Sequence, residues 1–219
     1  MTTFDLAQVD HLLSTTRAVR KRLDLSRPVP RELVLDCIRV ATQAPTGGNV
    51  QRWRWLVVDD ADKRAALADM YRRSYAPYIA ERERAMQGAG GVDDATRKIV
   101  DSSTYLAEHL HEVPVHVIPC ALDRLPAGMP QGQVAGFYGS ILPAVWSLQL
   151  ALRARGLGSA WTTLHLAYED EACELLGIPT TVTQVALIPV AYYTGTDFKP
   201  APRRPVEEVT YYNAWRQRD

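Results

Sequence analysis

What this sequence lacks narrows its function first. It has three cysteines, Cys37, Cys120 and Cys173, far apart, with no C-x-x-C spacing and no histidine neighbour at metal-ligand spacing, which excludes a zinc ribbon or a disulfide-stapled scaffold. They are expected to be small buried hydrophobes. Nowhere does the chain keep the roughly eighteen uninterrupted apolar residues of a membrane span, and the N-terminal "MTTFDLAQVDHLLSTTRAVRKRL" has neither the apolar core nor the small-residue cleavage site of a secretory signal. The expected compartment is the cytoplasm. Net charge is also missing, because 25 Lys and Arg balance 25 Asp and Glu, so no global field steers the chain toward nucleic acid or membrane. Any anion it binds must be held locally. There is no P-loop, no G-x-G-x-x-G and no G-x-S-x-G elbow. His109 and His111 stand two residues apart on an expected helix and face different directions, so no metal site is expected.

What is present is an ordinary globular composition, 47% hydrophobic and 23% charged over 219 residues, expected as a single domain over 1–219. Helical and strand-like patterns alternate along it. A short amphipathic helix is expected over Asp5 to Ser14, with Leu6, Val9 and Leu13 on one face. A second helix opens at Pro30 or Arg31, repeats Leu33, Val34, Cys37, Ile38 and Ala41 at helical spacing, and is closed by Pro45. "RWLVVDD" reads as a buried strand and Asp60 to about Tyr75 as a helix. Residues 76–112 form a charged excursion, with a flexible "GAGGVDD" and a helix from Asp94 to His111. Then come the strand "VPVHVIPCAL", the loop "LPAGMPQGQVAG", an apolar helix from Phe137 to Arg155 ended by Gly156, the strand "GSAWTTL", the short helix "EDEACELLG", and the strand "TVTQVALIPVAYY". The tail "FKPAPRRPVEEVTYYNAW" is too rich in proline for a core element yet ends in aromatics that need a surface to pack on.

Two stretches stand out. Five basic residues fall within Arg17 to Arg27, and Arg203 and Arg204 follow in the tail; several guanidiniums together suit a phosphate dianion. "APTGGNVQRWRW" abandons periodicity for Pro45, two glycines, the amides of Asn49 and Gln51 and two tryptophans, a composition that suits close approach to another group.

In order and content, "TTRAVRKRLDLSRPVPRELVLDCIRVATQAPTGGNVQRWRWLVV", followed by "ALRARGLGSAWTTL", "LLGIP" and "RRPVEEV", resembles the FMN-dependent nitroreductase family. The resemblance covers roughly residues 16–58 and 137–212. It implies an α+β nitroreductase-like fold, a central, mostly antiparallel sheet flanked by helices, in an intertwined homodimer with FMN at the subunit interface. It also implies a variable helical excursion at about 71–112 and a dimer-embracing tail at about 196–219. Carried over residue by residue, it places Arg17, Ala18 and Arg20 near the phosphate, ribityl chain and pyrimidine edge, and Arg203, flanked by Arg204, on the phosphate. Pro45, Thr46, Asn49 and Gln51 reach the flavin from the other subunit. Trp161, Thr162 and Thr163 run along the ring, one of them offering a backbone N–H or hydroxyl near N5. Thr16 stands where many relatives have arginine and Ala18 where serine is usual, leaving Arg17 or Arg22 to compensate.

The activity implied is electron transfer from NAD(P)H through FMN to an electron-poor acceptor, a nitroaromatic or quinone, by a ping-pong mechanism. Two alternatives stay open. One is a specialised relative, a reductive dehalogenase or a flavin-consuming enzyme, in which "YRRSYAPYIAERERAM" acts as a lid over a phenolic or zwitterionic ligand. The other is a protein that sequesters FMN without turnover.

Overall fold

The computed structural model describes residues 3–88 and 93–218. The expected flexible "GAGGVDD" lies mostly at 89–92, outside the described residues. The helices are α1 (Leu6–Thr15), α2 (Arg31–Ala41), α3 (Ala61–Gly88), α4 (Asp94–His109), α5 (Gln131–Gly139), α6 (Leu142–Arg153), α7 (Glu169–Leu176) and α8 (Val206–Val209). The strands are β1 (Trp53–Val58), β2 (Val115–Ala121), β3 (Leu157–Ser159), β4 (Thr183–Gln184) and β5 (Ile188–Tyr192). They fall into two compact units, residues 17–195 and the termini 3–16 with 196–218.

The larger unit is an antiparallel sheet in the order β1-β2-β5-β3, with β4 also on β2 and helices around it. β2 is buried at every position, as a central strand covered on both faces must be. The expected single strand "TVTQVALIPVAYY" is divided. Cys120 pairs with Gln184 but Val117 pairs with Ile188, so one extra residue is accommodated between β4 and β5. Pro119 sits opposite that bulge, where its missing N–H breaks no regular ladder, and its carbonyl accepts from Val185 N–H at 2.9 Å. The expected strand "GSAWTTL" is assigned only over Leu157–Ser159, yet Thr162 bridges Leu187 in the same register as the β3–β5 ladder.

α2 buries Val34, Cys37 and Ala41, the stripe its spacing predicts, and Glu32 and Arg39 suit the positive and negative ends of its dipole. It ends at Ala41, one turn before Pro45. The expected helix Phe137–Arg155 is two helices, broken at Ser140 and Ile141, and the first begins inside the stretch read as a loop. Gln131–Arg153 has the length and mean hydropathy of a membrane span. In this fold α6 buries Ala144, Val145, Leu148, Gln149, Ala151 and Leu152 in the core, whereas α5 buries no residue. α3 runs past Tyr75 to Gly88 and takes in Pro77. All three cysteines are free and buried, as expected.

In the smaller unit Asp5 caps α1, its carboxylate accepting from Gln8 N–H at 3.2 Å, and His11 Nε2 meets Asp197 Oδ2 at 2.7 Å. The predicted apolar face is there but uncovered: Leu6 is 71% exposed and Leu13 48%. The tail contains the single-turn α8 and an edge-on pair of Tyr211 and Trp215, with Trp215 81% exposed.

Candidate functional site

The expected site residues of the larger unit gather around two separate clefts. The first, of about 220 Å³, is lined by Arg20, Tyr71, Tyr75, Tyr78, Ile99, Ser103 and the run Trp161 to Leu164. It is positioned from both sides by backbone pairing. Val19 N–H donates to Ser159 O at 2.8 Å and Ala18 bridges Ser159, which lays the Arg17–Leu23 segment along the end of β3. That approach is close because residue 158 is glycine: a Cβ there would stand 3.0 Å from the Val19 side chain. Arg20 is thereby brought to the cleft half-buried, whereas Arg17 is exposed and does not line it.

Thr162 spends its hydrogen bonds on the sheet. Its N–H donates to Leu187 O at 3.1 Å, its hydroxyl donates to the same oxygen at 2.8 Å, and its carbonyl accepts from Leu187 N–H at 2.9 Å. Thr163 is exposed, and among the described residues neither its hydroxyl nor its N–H has a partner. Of the two threonines singled out from sequence, Thr163 is the one with donors to offer.

The tyrosines belong to "YRRSYAPYIAERERAM", the stretch expected as a lid in the specialised-relative alternative, and they do line this cleft. Tyr71, Tyr75 and Tyr78 recur at i, i+4 and i+7 on α3, so one face carries them all, with ring centroids 6.2 and 6.0 Å apart. Tyr75 is fixed by Ser103 at 2.9 Å and Thr104 at 2.8 Å, tying α3 to α4, and Lys21 holds α4 through Asp101 at 2.5 Å. Arg73 anchors α3 from its other side, stacked 3.9 Å over Tyr168 and bonded to Glu171 at 2.5 Å. Burial pushes the Tyr71 phenol up to about 12 against the pull of Arg20, so it stays protonated at neutral pH.

The second cleft, of about 590 Å³, is lined on one side by Thr46, Gly47, Val50 and Gln51 and on the other by Asp123 to Pro126 and the α5 residues Gln133, Gly136 and Phe137. Its loop is strained. Gly48, Asn49 and Gln51 have φ of 58°, 54° and 52°, and two of these are not glycine. The strain is held by Gln51 Nε2 donating to Asn49 Oδ1 at 3.0 Å, Gln51 N–H to Thr46 Oγ1 at 3.3 Å and Gly47 N–H to Ser140 Oγ at 3.1 Å. Pro45 and Asn49 are exposed beside it. The cleft's arginines are neutralised, Arg52 by Asp123 and Arg124 by Glu169 at 2.7 Å. Trp53 and Trp55 belong to the core side of β1.

Arg203 and Arg204 lie exposed in the smaller unit, where Arg203 donates to Pro202 O at 2.9 Å. Among the described residues no cluster of His, Cys, Asp and Glu is arranged to hold a metal. Glu81, Glu83, Asp93 and Asp94 are exposed, and Asp93 caps α4, its carboxylate accepting from Thr96 N–H at 2.6 Å.

An antiparallel sheet of this order, edged by helices and carrying its polar residues at two clefts, defines the nitroreductase-like fold. The chain belongs to the nitroreductase family, whose description it matches over residues 13–192. Among curated proteins it is 30% identical over 140 residues to the 5,6-dimethylbenzimidazole synthase of Rhodospirillum rubrum, covering 63% of this chain and 61% of that one. It is 26% identical to the iodotyrosine deiodinase of Thermotoga neapolitana over 199 residues, 90% and 93% of the two chains. The crystal structure of the FMN-dependent nitroreductase of Mycobacterium smegmatis in complex with NADPH superposes with a TM-score of 0.68 at 24% identity, covering 96% of this chain and all of that one.

Proposed function

We propose that this protein is a homodimeric FMN-dependent oxidoreductase in which NAD(P)H and an electron-poor acceptor, a nitroaromatic or a quinone, use one pocket in turn. The observation that carries the reading is the division of the motif: Arg20 and Trp161–Thr163 line one cleft of the chain, while Thr46 and Gln51 line another that shares no residue with it. A site completed by a second copy requires that division. Unburied apolar surface supports the dimer, with Trp146 on α6 41% exposed and Trp215 81%.

The residues present fit a flat, phosphate-bearing heteroaromatic. The first cleft combines one cation, an aromatic wall and unpartnered donors, and the second a wide apolar surface with the Gln51 side chain at its edge. When bound, FMN supplies the electron and hydride transfer. The chain's part is to bind, orient and exclude water. Arg20 favours negative charge at the pyrimidine edge, and Thr163 offers a hydroxyl and an N–H toward N5. Asn49 and Gln51, with Pro45 and Thr46, present amides and backbone from the second subunit. Arg17 and Arg203 take the phosphate, with Arg204 flanking it and Ala18 contributing backbone, an assignment drawn from the family likeness. Tyr71, Tyr75 and Trp161 keep water out.

An absorbance spectrum of the purified protein tests this directly: about one FMN per chain is expected, and a colourless protein that takes up no added FMN removes the reading. Parallel double-reciprocal plots are expected for donor and acceptor, and intersecting lines would refute the shared pocket. A second reading is favoured by the tyrosine row itself, which makes α3 and α4 part of the cleft, as a lid for one phenolic or zwitterionic ligand would be. Turnover of a halogenated tyrosine in preference to nitroaromatics would establish that specialised relative. Flavin uptake with no acceptor-dependent NADPH oxidation would establish a sequestering protein.

A further inference from the structure

The aromatic wall of the first cleft carries more hydrogen-bonding capacity than excluding water requires. In the composite-site reading the flavin takes Arg20 and the Trp161–Thr163 run, which leaves Tyr71, Tyr75 and Tyr78 on α3 and Ile99 and Ser103 on α4 with no ligand of their own. The three phenols are used differently. Tyr75 is fully engaged: Ser103 Oγ donates to Val100 O at 2.8 Å and so accepts from Tyr75, while Thr104 Oγ1 makes the second contact. Tyr71 is 4% exposed and lines the cleft, yet among the described residues its hydroxyl has no partner. Buried polar groups are rarely left so, and burial keeps this one protonated at neutral pH, a donor without an acceptor. Tyr78, at the exposed end of the row, receives Arg82 Nη1 on its oxygen at 3.0 Å, which leaves its phenolic proton to be given outward.

Charge and spacing define what these donors can hold. Arg82 makes no ion pair among the described residues, and no carboxylate lines the cleft. On the same two helices Glu81 and Glu83 are exposed outside the lining, and Asp101 is held by Lys21 at 2.5 Å. The outer donor therefore has a cation behind it and the inner one does not. Tyr71 and Tyr78 stand two helical turns apart, ~10 Å along α3, with the ring of Tyr75 between them. One small anion cannot touch both. A ring with oxygen functions at opposite ends reaches across once a hydrogen bond of about 2.8 Å is added at each. The cleft's 220 Å³, below the roughly 300–1,000 Å³ of drug-sized pockets, suits a single ring.

We propose that the tyrosine wall seats a para-substituted aromatic carboxylate, its reducible oxygen function on the Tyr71 hydroxyl and its carboxylate on Tyr78 and Arg82 at the mouth. The inference rests on the flavoprotein reading and narrows its acceptor. The reducible end belongs at Tyr71 because Arg20 and Thr163 line the same cleft there, and the carboxylate at Tyr78 because hydrogen bonds to an ionised acceptor are the strong ones and Arg82 is the cation within reach.

The test is calorimetric binding to the FMN-loaded protein of 4-nitrobenzoate, its isomer 2-nitrobenzoate and the neutral 4-nitrobenzamide, without NAD(P)H so that none is turned over. 4-Nitrobenzoate is expected to bind about tenfold or more tightly than either of the others. Arg82→Gln and Tyr78→Phe should reduce its preference over the amide to less than about threefold and leave the amide's own affinity unchanged. Tyr71→Phe should weaken both para ligands alike, about fivefold, since both present the same nitro group to it. Arg82 is partly exposed and Arg82→Gln should take up FMN as the wild type does, so that variant decides if a tyrosine variant does not fold. Equal binding of the three ligands, or a preference undiminished in Arg82→Gln, would overturn the proposal and leave the flavin reading standing. A wild type that takes up no FMN would overturn the flavin reading and the proposal with it.

Discussion

The cleft around Arg20 is hung on the sheet, whereas the cleft around Thr46 is hung on a loop and a helix. In the first, Thr162 is locked to Leu187 by three hydrogen bonds, and the one arginine present makes no ion pair among the described residues. In the second, Asn49 and Gln51 sit at positive φ, and Arg52 and Arg124 are each paired with a carboxylate. Charge recognition and free donors therefore belong to the first cleft, while apolar width belongs to the second. That difference is the physical case for the proposed site made from two chains.

Acid should weaken the fold through two buried histidines, one of them beside the first cleft in sequence. Burial lowers His116 to about 3 and His165 to about 4 from an ordinary 6.5, and His165 lies two residues beyond Thr163. Because the folded values are depressed, the neutral form is the one the fold favours. The stability it contributes is complete above the unfolded value and is lost as pH falls toward the folded values. The unfolded histidines are half protonated at pH 6.5 and approach the full slope of about 1.4 kcal/mol per group per pH unit only below it, so stability should fall by about 3 kcal/mol between pH 6.5 and 5. Urea unfolding at the two pH values measures it, and a flat profile would show that the histidines are solvated.

Arg20→Ala and Arg52→Ala sharpen the contrast in charge. Removing the unpaired guanidinium should cost roughly 1.5–3 kcal/mol of FMN binding, about one to two decades in affinity, whereas the neutralised Arg52 should cost less than threefold. Equal losses in an equilibrium titration would mean that the two clefts share the recognition of charge.

Glycines separate the clefts by packing. Gly158→Ala places a Cβ 3.0 Å from Val19 and 3.1 Å from Leu23, displacing the segment that carries Arg20, and overpacking of this kind costs about 1–3 kcal/mol. Gly136→Ala meets nothing within 4 Å on α5 and should stabilise by up to ~1 kcal/mol through helix propensity. Thermal unfolding of the pair gives the sign of each.

The parts of this molecule written in local pattern were legible in the sequence. α2 and β2 follow from apolar spacing, and the order of basic stretch, glycine loop and "AWTTL" located residues that do line the clefts. What depends on tertiary contact was not legible. Pro77 reads as a breaker, yet α3 continues through it because Arg73 and Tyr75 on the preceding turn are anchored to Glu171, Tyr168, Ser103 and Thr104. The bulge between β4 and β5 answers to Pro119 on a strand more than sixty residues earlier in the chain, outside the reach of any periodicity in "TVTQVALIPV". Similarly, the spacing of Tyr71, Tyr75 and Tyr78 shows that they share a face, but only the packing of α4 shows which way that face turns.

The smallest expected effect separates two neighbouring residues of the first cleft. Sequence pattern treats Thr162 and Thr163 alike, since both are β-branched and both fall at the end of a strand-like run. Their hydrogen bonds differ: the Thr162 hydroxyl already donates to Leu187 O inside the sheet, and the Thr163 hydroxyl has no partner among the described residues. Thr162→Val keeps the shape, removes a bond at a buried site and should cost about 1 kcal/mol of stability. It should leave flavin reactivity as it was, because that hydroxyl has no proton to spare for N5. Thr163→Val should do the reverse, leaving stability within ~0.5 kcal/mol, as expected at an exposed position, while changing the rate of flavin reduction by NAD(P)H. Stopped-flow reduction and thermal unfolding of both variants distinguish the cases. If Thr163→Val reduces at the wild-type rate, the donor toward N5 is the Thr163 backbone N–H, which valine retains. If Thr162→Val alone slows reduction, the ladder with Leu187 must open when the cofactor binds, and the first cleft is less fixed by the sheet than its bonds indicate.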